Sequence, residues 1–376
     1  MTCRLRWLGI LAQLVACESY GLSLANDDSS TDASFADQPA DSSSIPPDAG
    51  PAGDRTGCVE GDFAPYRGDL DAHTSYSADF DGPSTGNPAA AFRSARDHGL
   101  DFFAVTDHLG ELTAEEYSQC RSVADTANEP GAFAAICGYE ARFDGGHGMF
   151  LFAWTLITLP TSRAQYFDRI EACGECIGQF NHPAGTVFPW TDFSYLAVAD
   201  SNMELVELNN APSPEAGLAA YVEALDAGWS VSPAWNSDTH RDDWGFATSR
   251  TIVYPTTLSR EHLRDAMHAH RTSASNDRNT SLVVKADGCW MGSSLPGWTS
   301  ATIEVAATDD DASDGFARVQ LVGPGGADLG ILNCDGSNRC NASQAIDVVP
   351  PTWVLAVATE TDGDVVVSAP VWFAGS

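Results

Sequence analysis

Histidine and acidic residues recur along the first two thirds of this chain, each at or just past the end of a short apolar run. In chain order they are Asp71, His73, Asp107, His108, Glu140, His147, His182, Asp238 and His240. If the runs are parallel strands of one sheet or barrel, their carboxyl ends meet at one edge and these side chains converge there. Convergent imidazoles and carboxylates are ligands of hard or borderline divalent metal ions. The series therefore predicts a metal centre built on parallel strands.

Between these runs lie segments with the start and stop signals of helices. Asn87 offers a capping side chain before Pro88 at the first helical position, and Gly99 ends that segment. Thr113 and Glu116 have the spacing of a capping box. The predicted strands are 102–106, 134–137, 149–152, 177–180, 205–208, 231–235 and 251–254. Alternating strands and helices predict an α/β fold of βα units with a mostly parallel sheet.

The pattern changes beyond about residue 298. Short alternating runs are separated there by Gly, Asp, Asn and Pro, and the segment contains no histidine. These features predict a small antiparallel β-sandwich domain over residues 299–376, and they assign the metal chemistry to residues 58–298. The acidic run at 309–311 is interpreted as a solvated turn, with a calcium contact as the alternative.

Residues 1–16 have the organisation of an export signal. Arg4 and Arg6 precede an apolar stretch that is far shorter than the roughly 20 residues of a membrane-spanning helix. The stretch ends in the letters LVAC, which resemble a bacterial lipobox whose cysteine is Cys17. We therefore expect cleavage before Cys17, lipidation of Cys17, and an exported bacterial lipoprotein held to a membrane in the periplasm or at the cell surface. An ordinary signal peptide cleaved nearby is the alternative.

Residues 17–57 are rich in Ser, Asp, Ala and Pro and have no apolar period that could build a core. This composition predicts a disordered acidic linker behind the lipidated cysteine. The full chain carries 52 acidic residues against 19 lysines and arginines, a formal net charge of −33. A surface of that charge repels long nucleic acid. No protein partner can be inferred from the sequence.

The chain has ten cysteines, a number that suits an oxidising compartment. With Cys3 in the export signal and Cys17 lipidated, an even number remains for pairing. Three pairs are close enough in the sequence to form local bridges: Cys120/Cys137, Cys173/Cys176 and Cys334/Cys340. The CxxC spacing of Cys173 and Cys176 also occurs in redox sites and in zinc sites, which are alternatives to a structural disulfide.

Five motifs resemble those of the PHP (polymerase and histidinol phosphatase) superfamily in order and interval. They are GDLDAHTSYS from Gly68, LDFFAVTDH ending at His108, GYE ending at Glu140 with His147 after it, NHP around His182, and NSDTH ending at His240. The resemblance runs from Gly68 to about Gly292, and its last part is similar to the secreted, carbamate-hydrolase-like branch. It implies a distorted (βα)7 barrel that binds two or three divalent ions, Zn, Mn or Fe.

The resemblance also implies how the ligands divide. Asp71, His73, Glu140 and Asp238 would hold one ion, His108, His240 and either Asp79 or Asp81 a second, and Glu140, His147 and His182 a third, with Glu140 bridging. Spacing favours Asp79 over Asp81. The superfamily usually opens with His-x-His, whereas Asp71 stands first here. Its carboxylate adds negative charge and shifts the preference toward harder ions.

Hydrolysis by a metal-bridging hydroxide is the mechanism that the resemblance implies. The sequence has no Gly-x-Ser-x-Gly elbow and no cysteine beside a histidine that would supply a side-chain nucleophile. We expect Asp107 behind the ligands, orienting an imidazole. Arg241, which follows His240, is the leading candidate for an anion clamp, ahead of Arg142 and Arg250, and a surface salt bridge is the alternative for each.

The resulting prediction is a phosphoesterase that acts on a small-molecule ester, such as a phosphomonoester, a nucleotide or an oligonucleotide end. A carboxylic or carbamic ester hydrolase that uses the same metal site is one alternative. A lipid-anchored, non-catalytic binding protein is another, because Asp71 departs from the superfamily pattern and the chain carries a tethered β-domain.

Overall fold

A computed structural model describes residues 57–185, 189–190 and 193–375. The predicted export signal, the lipidated Cys17 and the linker up to residue 56 lie outside the described residues. Among the helices that are described, none is both long and apolar enough to cross a membrane.

The helices begin where the sequence signals place them. The α-helices of the described residues are α1 (Pro88–Asp97), α2 (Ala114–Ala127), α3 (Arg163–Cys173), α4 (Ala197–Asp200), α5 (Pro214–Asp226) and α6 (Arg260–His268). The side chain of Asn87 accepts a hydrogen bond from the backbone of Ala90, and Thr113 and Glu116 form both halves of a capping box. These contacts satisfy backbone N–H groups that the first turn of a helix leaves without partners.

The first nine strands form a curved sheet. They are β1 (Tyr66–Asp69), β2 (Phe102–Val105), β3 (Ala134–Phe143), β4 (Gly146–Leu151), β5 (Ile177–Asn181), β6 (Met203–Glu207), β7 (Ser232–Ala234), β8 (Arg250–Val253) and β9 (Thr272–Ser275). Strands β1, β2 and β3 pair in parallel, as do β5, β6 and β7. The predicted α/β fold with parallel strands is confirmed.

Strand β4 departs from the predicted βα repeat. It runs antiparallel between β3 and β5, and no helix separates it from β3. Only Asp144 and Gly145 connect the two strands, whereas a parallel pair needs a crossover of roughly a dozen residues or more. Gly145 has a positive φ of 105°, which glycine adopts without the steric cost of a side chain. The sheet is therefore parallel on both sides of one hairpin.

The two ends of this sheet meet just past β1 and β7. The backbone N–H of Asp238 donates to Asp71, the N–H of His73 donates to Thr239, and Ala72 and Thr239 form a parallel bridge. The seven strands β1 to β7 therefore close into a barrel. Its interior is filled by buried apolar side chains that include Leu263 of α6, and α6 also contacts β3, β5, β6 and β8. The helix covers the end of the barrel opposite the predicted ligands.

The remaining strands are antiparallel. They are β10 (Thr280–Ala286), β11 (Cys289–Trp290), β12 (Ser300–Asp309), β13 (Phe316–Gly323), β14 (Ala327–Asn333), β15 (Arg339–Asp347), β16 (Thr352–Glu360), β17 (Val365–Ser368) and β18 (Val371–Phe373). One four-stranded sheet has the order β11-β10-β12-β15, while β14, β13, β16 and β17 continue the barrel sheet through β9. Apolar side chains from both sheets share one core. Strands β10 and β11 precede residue 299, where the sequence places the start of the sandwich.

Disulfides tie both parts of the chain. The three predicted local bridges, Cys120–Cys137, Cys173–Cys176 and Cys334–Cys340, are all formed. A fourth bridge joins Cys58 to Cys289 across 231 residues of sequence. It fixes the start of the described chain to β11.

Candidate metal centre

The predicted ligands lie together at the open end of the barrel, where the parallel strands terminate. Asp71 and His73 follow β1, Asp107 and His108 follow β2, Glu140 lies in β3, His147 in β4, His182 after β5, and Asp238 and His240 after β7. The backbone at His182 and at Asp238 has a positive φ of 51° and 49°. Side chains other than glycine enter this region at a cost of roughly 1 kcal/mol or more, and such residues concentrate at functional sites.

The innermost group surrounds the Nε2 atom of His73. This atom lies 3.1 Å from Oδ1 of Asp238, 3.7 Å from Oε2 of Glu140 and 3.8 Å from Oδ1 of Asp71. Within the described residues, His73 Nε2, Asp238 Oδ1 and Glu140 Oε2 are buried and form no hydrogen bond of good geometry. Buried polar atoms normally have a hydrogen-bond partner. A cation bound between these three atoms would interact with all of them in place of hydrogen bonds. The first predicted ligand set therefore fits a metal ion.

A second group gathers at the other oxygen of Glu140. His147 Nδ1 lies 2.9 Å from Glu140 Oε1, and His182 Nε2 lies 3.0 Å from the same atom. Ligand atoms of these three residues all lie within 4.8 Å of one another, so they could hold a metal ion. This is the third predicted ligand set.

The third group lies nearer the surface. His108 Nε2 is 3.2 Å and His240 Nε2 is 3.4 Å from Oδ2 of Asp79, while Asp81 faces Arg241 at 3.6 Å. Ligand atoms of His73, His108 and His240 also fall within 4.8 Å of one another. The geometry favours Asp79 over Asp81 as the carboxylate of this group.

Asp71 is held firmly by its neighbours. Its Oδ1 accepts a hydrogen bond from the hydroxyl of Thr106 at 2.7 Å, and its Oδ2 accepts one from the side-chain amide of Asn181 at 2.9 Å. Burial, reinforced by the charges of Glu140 and Asp238, raises the pKa of Asp71 well above its ordinary value. A positive ion in the group would offset that repulsion.

Asp107 lies behind the ring of His73, to which Ser77 connects it, and not behind the ring of its neighbour His108. Asp107 Oδ1 accepts from the hydroxyl of Ser77 at 2.8 Å, and Ser77 Oγ lies 3.0 Å from His73 Nδ1. Because the single proton of Ser77 goes to Asp107, the serine oxygen accepts from His73 Nδ1–H. This contact fixes the ring so that Nε2 of His73 faces the carboxylates, the orientation that a metal ligand requires.

His182 has a buried carboxylate behind it that the sequence analysis missed. Glu207, at the end of β6, lies 2.8 Å from Nδ1 of His182 and also accepts the backbone N–H of that histidine at 2.9 Å. Although burial opposes it, Glu207 and Glu140 raise the pKa of His182. An acidic residue at the end of the predicted strand 205–208 was the available signal. A carboxylate behind an imidazole fixes the orientation of a metal-binding histidine.

The three arginine candidates occupy different places. The guanidinium of Arg241 lies beside Asp81, 67% of its side chain is exposed, and it is not among the described residues that line the cavity over the ligands. Buried Arg250 donates to the backbone carbonyls of Ala247 and Ser249, a structural role. Arg142 lines the open cavity over the ligand groups. Of the three arginines, Arg142 is thus the one that lines the cavity over the ligand groups.

An open cavity of about 280 Å³ covers the three groups. Asp79, His108 and Arg142 also line an adjoining cavity of about 730 Å³ that extends past Phe143 and Leu159. Ligand sites for small molecules have volumes of roughly 300–1,000 Å³. The ligand groups therefore face a space large enough for a small substrate.

No protein-family model and no curated protein matches this chain. Among solved structures, it is similar to a two-domain protein from Bacteroides vulgatus that contains a predicted PHP-like metal-dependent phosphoesterase. That similarity has 16% identity, covers 81% of this chain and 94% of the other, and has a TM-score of 0.46. Similarity to PsfC from Pseudomonas syringae has 14% identity, covers 56% of this chain and 91% of the other, and has a TM-score of 0.41. These similarities are too weak to assign a family.

Proposed function

We propose that this chain is a metal-dependent hydrolase that acts on small phosphoesters. The observation that carries the proposal is the group of buried imidazole and carboxylate atoms around His73 Nε2, which face one another without hydrogen bonds of good geometry. A set of mixed nitrogen and oxygen ligands suits Zn, Mn or Fe. Ions of this kind lower the pKa of bound water and polarise the bond to be cleaved.

The cavity over the ligand groups supports water as the nucleophile. The described residues that line it include no Ser, Thr, Cys or Lys, and the Asp, Glu and His side chains there, which can also form covalent intermediates, are the candidate metal ligands. The roles left to the chain's own residues are to hold ions, to orient the substrate and to move protons. His240 and Asp79 lie at the exposed rim of the ligand groups, next to the cavity that a substrate would enter.

Arg142 supports a phosphoester over an uncharged ester. It lies two residues after Glu140 on β3, so the two side chains leave the same face of the strand. Arg142 lines both cavities, and the planar fork of N–H donors of an arginine matches phosphate oxygens. A neutral carboxylic or carbamic ester has no matching need for a cation at this position.

The test is a substrate panel of aryl phosphates, aryl carboxylic esters and aryl carbamates, assayed on the purified chain after Mn or Zn is supplied. We expect hydrolysis of aryl phosphates, and an Arg142→Ala variant with a KM for them about tenfold higher or more. Arg241→Ala is the matched control and should change KM less than about twofold. Hydrolysis of carboxylic esters alone, indifferent to Arg142→Ala, would identify the ester hydrolase. Tight binding of metal without any turnover would favour the binding protein.

Export and lipidation of Cys17 form a separate part of the proposal. The four disulfides are compatible with an oxidising compartment. In a bacterial host, the chain should fractionate with membranes and take up labelled fatty acid. A Cys17→Ser variant should lose the label. Membrane association that survives the substitution would contradict the lipid anchor.

A further inference from the structure

A second group of acidic residues lies in the antiparallel part of the chain. Asp277 follows β9, Asp309 ends β12, Glu360 ends β16, and Asp364 precedes β17. One carboxylate oxygen from each of Asp277, Glu360 and Asp364 lies within 4.8 Å of the other two, and Asp309 lies against Glu360. None of these residues belongs to the candidate metal centre. Asp309 is fully buried, so the acidic run at 309–311 is not simply the solvated turn predicted from the sequence.

Glu360 is the unusual member of this acidic group. Only 3% of the residue is exposed, yet neither of its carboxylate oxygens accepts a hydrogen bond from any described residue. Oδ2 of buried Asp309 likewise accepts no hydrogen bond from any described residue. Leaving a buried carboxylate without a donor or a positive charge is costly, so such groups normally have a partner. Three buried oxygens at one place therefore point to a ligand that supplies positive charge.

Local hydrogen bonds hold the aspartates in place. Oδ1 of Asp277 accepts from the backbone N–H groups of Asn279 and Thr280 at 2.8 and 3.2 Å, and Oδ1 of Asp309 accepts from the side chain of Asn279 at 3.0 Å. The turn from Glu360 to Asp364 is closed by a backbone bond of 2.8 Å between them. The carboxylates are thus positioned by the fold before any ligand arrives.

No basic side chain of the described residues forms an ion pair with the four carboxylates. Arg278 of the β9–β10 loop is exposed, and Arg67 lies 3.1 Å from Asp310 while donating to the backbone carbonyl of Asn279. Within the part of the chain that the structure describes, the four carboxylates therefore have no cationic side chain in direct contact.

We propose that Asp277, Asp309, Glu360 and Asp364 bind one Ca²⁺ ion, independently of the candidate metal centre and of the proposed hydrolase activity. The side chains offer oxygen alone, which suits Ca²⁺ and disfavours Zn²⁺. Ca²⁺ accepts six to eight oxygens in a flexible arrangement, whereas Mg²⁺ requires a nearly ideal octahedron. The ion would join the β9–β10 loop, the end of β12 and the β16–β17 turn.

The test is thermal unfolding of the purified full chain after chelation, with CaCl₂ or MgCl₂ added, together with calorimetric titration of Ca²⁺. We expect saturating Ca²⁺ to raise Tm by about 2–5 °C, and Mg²⁺ to raise it less. Glu360→Gln keeps the shape of the side chain, and its amide can donate to Asp309. This variant should lose the Ca²⁺ shift while its Tm without Ca²⁺ stays unchanged or rises.

Two variants serve as controls. Asp347→Asn removes an exposed charge at the end of β15 and should keep the full shift, as should Glu140→Gln in the candidate metal centre. If Glu360→Gln does not fold, Asp364→Asn replaces it. An unchanged Tm and no heat of binding in the wild-type chain would overturn the proposal and would indicate a proton shared between Glu360 and Asp309. A Ca²⁺ shift that survives both Glu360→Gln and Asp364→Asn would also overturn it.

Discussion

Glu140 is the residue on which the candidate metal centre most depends, because its two oxygens face different ligand groups. Its Oε1 contacts His147 and His182, while its Oε2 lies 3.2 Å from His108 Nδ1 and 3.7 Å from His73 Nε2. Although burial opposes it, His108, His147 and His182 hold the pKa of Glu140 well below its ordinary value. The carboxylate is therefore charged and positioned to bridge two ions.

Replacing Glu140 by Gln keeps the size of the side chain but removes the bridging charge. We expect Glu140→Gln to lose at least one tightly bound ion per chain and to lower hydrolysis by about 100-fold or more. Elemental analysis and an aryl phosphate assay measure the two effects. Glu115→Gln, an exposed residue of α2, is the control and should change neither. Full activity and full metal content in Glu140→Gln would contradict the site assignment.

Asp71 permits a test that separates repulsion from metal binding. Without an ion, its buried charge is opposed by those of Glu140 and Asp238. We therefore expect Asp71→Asn to unfold at the same or a higher temperature than the wild type in a chelator. With Mn supplied, the variant should gain less stability and bind Mn roughly 10–100-fold more weakly. Equal stabilisation of both proteins by Mn would show that Asp71 is not a ligand.

Sequence spacing picked out the candidate ligands because their residue types recur at the ends of strands, and the structure brings them together. It did not find the side chains that hold them in place. Glu207 reaches His182 across 25 residues, and Ser77 reaches Asp107 across 30. Nothing in the sequence distinguishes such a serine or glutamate from an ordinary surface residue. Only the closed barrel brings each of them next to its partner. Arg241 was favoured for its place beside His240, but adjacency along the chain does not decide the direction of a side chain.

Secondary structure elements were predictable where their signals are local. The caps of α1 and α2 use side chains within three residues of the backbone they bind, so the sequence alone placed them. The hairpin between β3 and β4 was missed, although Asp144-Gly145 is a recognised hairpin signal. The expected βα repeat outweighed it. The pairing of β17 with β9 joins strands that are far apart in the sequence, so it had no local signal.

Helix α6 closes the end of the barrel opposite the candidate ligands through Leu263, which is fully buried. Removing its side chain to Cβ should leave a cavity under the barrel strands. We expect Leu263→Ala to lower the free energy of unfolding by about 2–5 kcal/mol, measured by urea denaturation. Val349→Ala is the control, since 85% of Val349 is exposed, and should change it by less than about 0.5 kcal/mol. Equal stability of the two variants would mean that α6 does not close the barrel.

Across the whole molecule, one sheet runs from the barrel into the antiparallel strands, and a disulfide joins the ends of a long loop. Cys58 and Cys289 are 231 residues apart, so no spacing rule could have paired them. Cross-linking restricts the unfolded chain more when the closed loop is longer. The disulfide therefore stabilises the folded chain, whereas the net charge of −33 destabilises it through repulsion between like charges.

Comparing two disulfides isolates the effect of loop length. We expect the Cys58→Ser/Cys289→Ser variant to lose about 2–5 kcal/mol of stability. The Cys334→Ser/Cys340→Ser variant opens a loop with a separation of only six residues and should lose less. Urea unfolding of both variants measures the difference. A larger loss on removing the short bridge would contradict the entropic account.

The central claim is that bound ions at the barrel end make this chain a hydrolase. A direct test is to remove metal from the purified chain and to follow aryl phosphate hydrolysis while Mn²⁺ is added back. We predict no hydrolysis at the start, followed by a rise that saturates at two or three ions per chain. Hydrolysis that is unaffected by metal removal, or that never develops at saturating Mn²⁺ or Zn²⁺, would contradict the account.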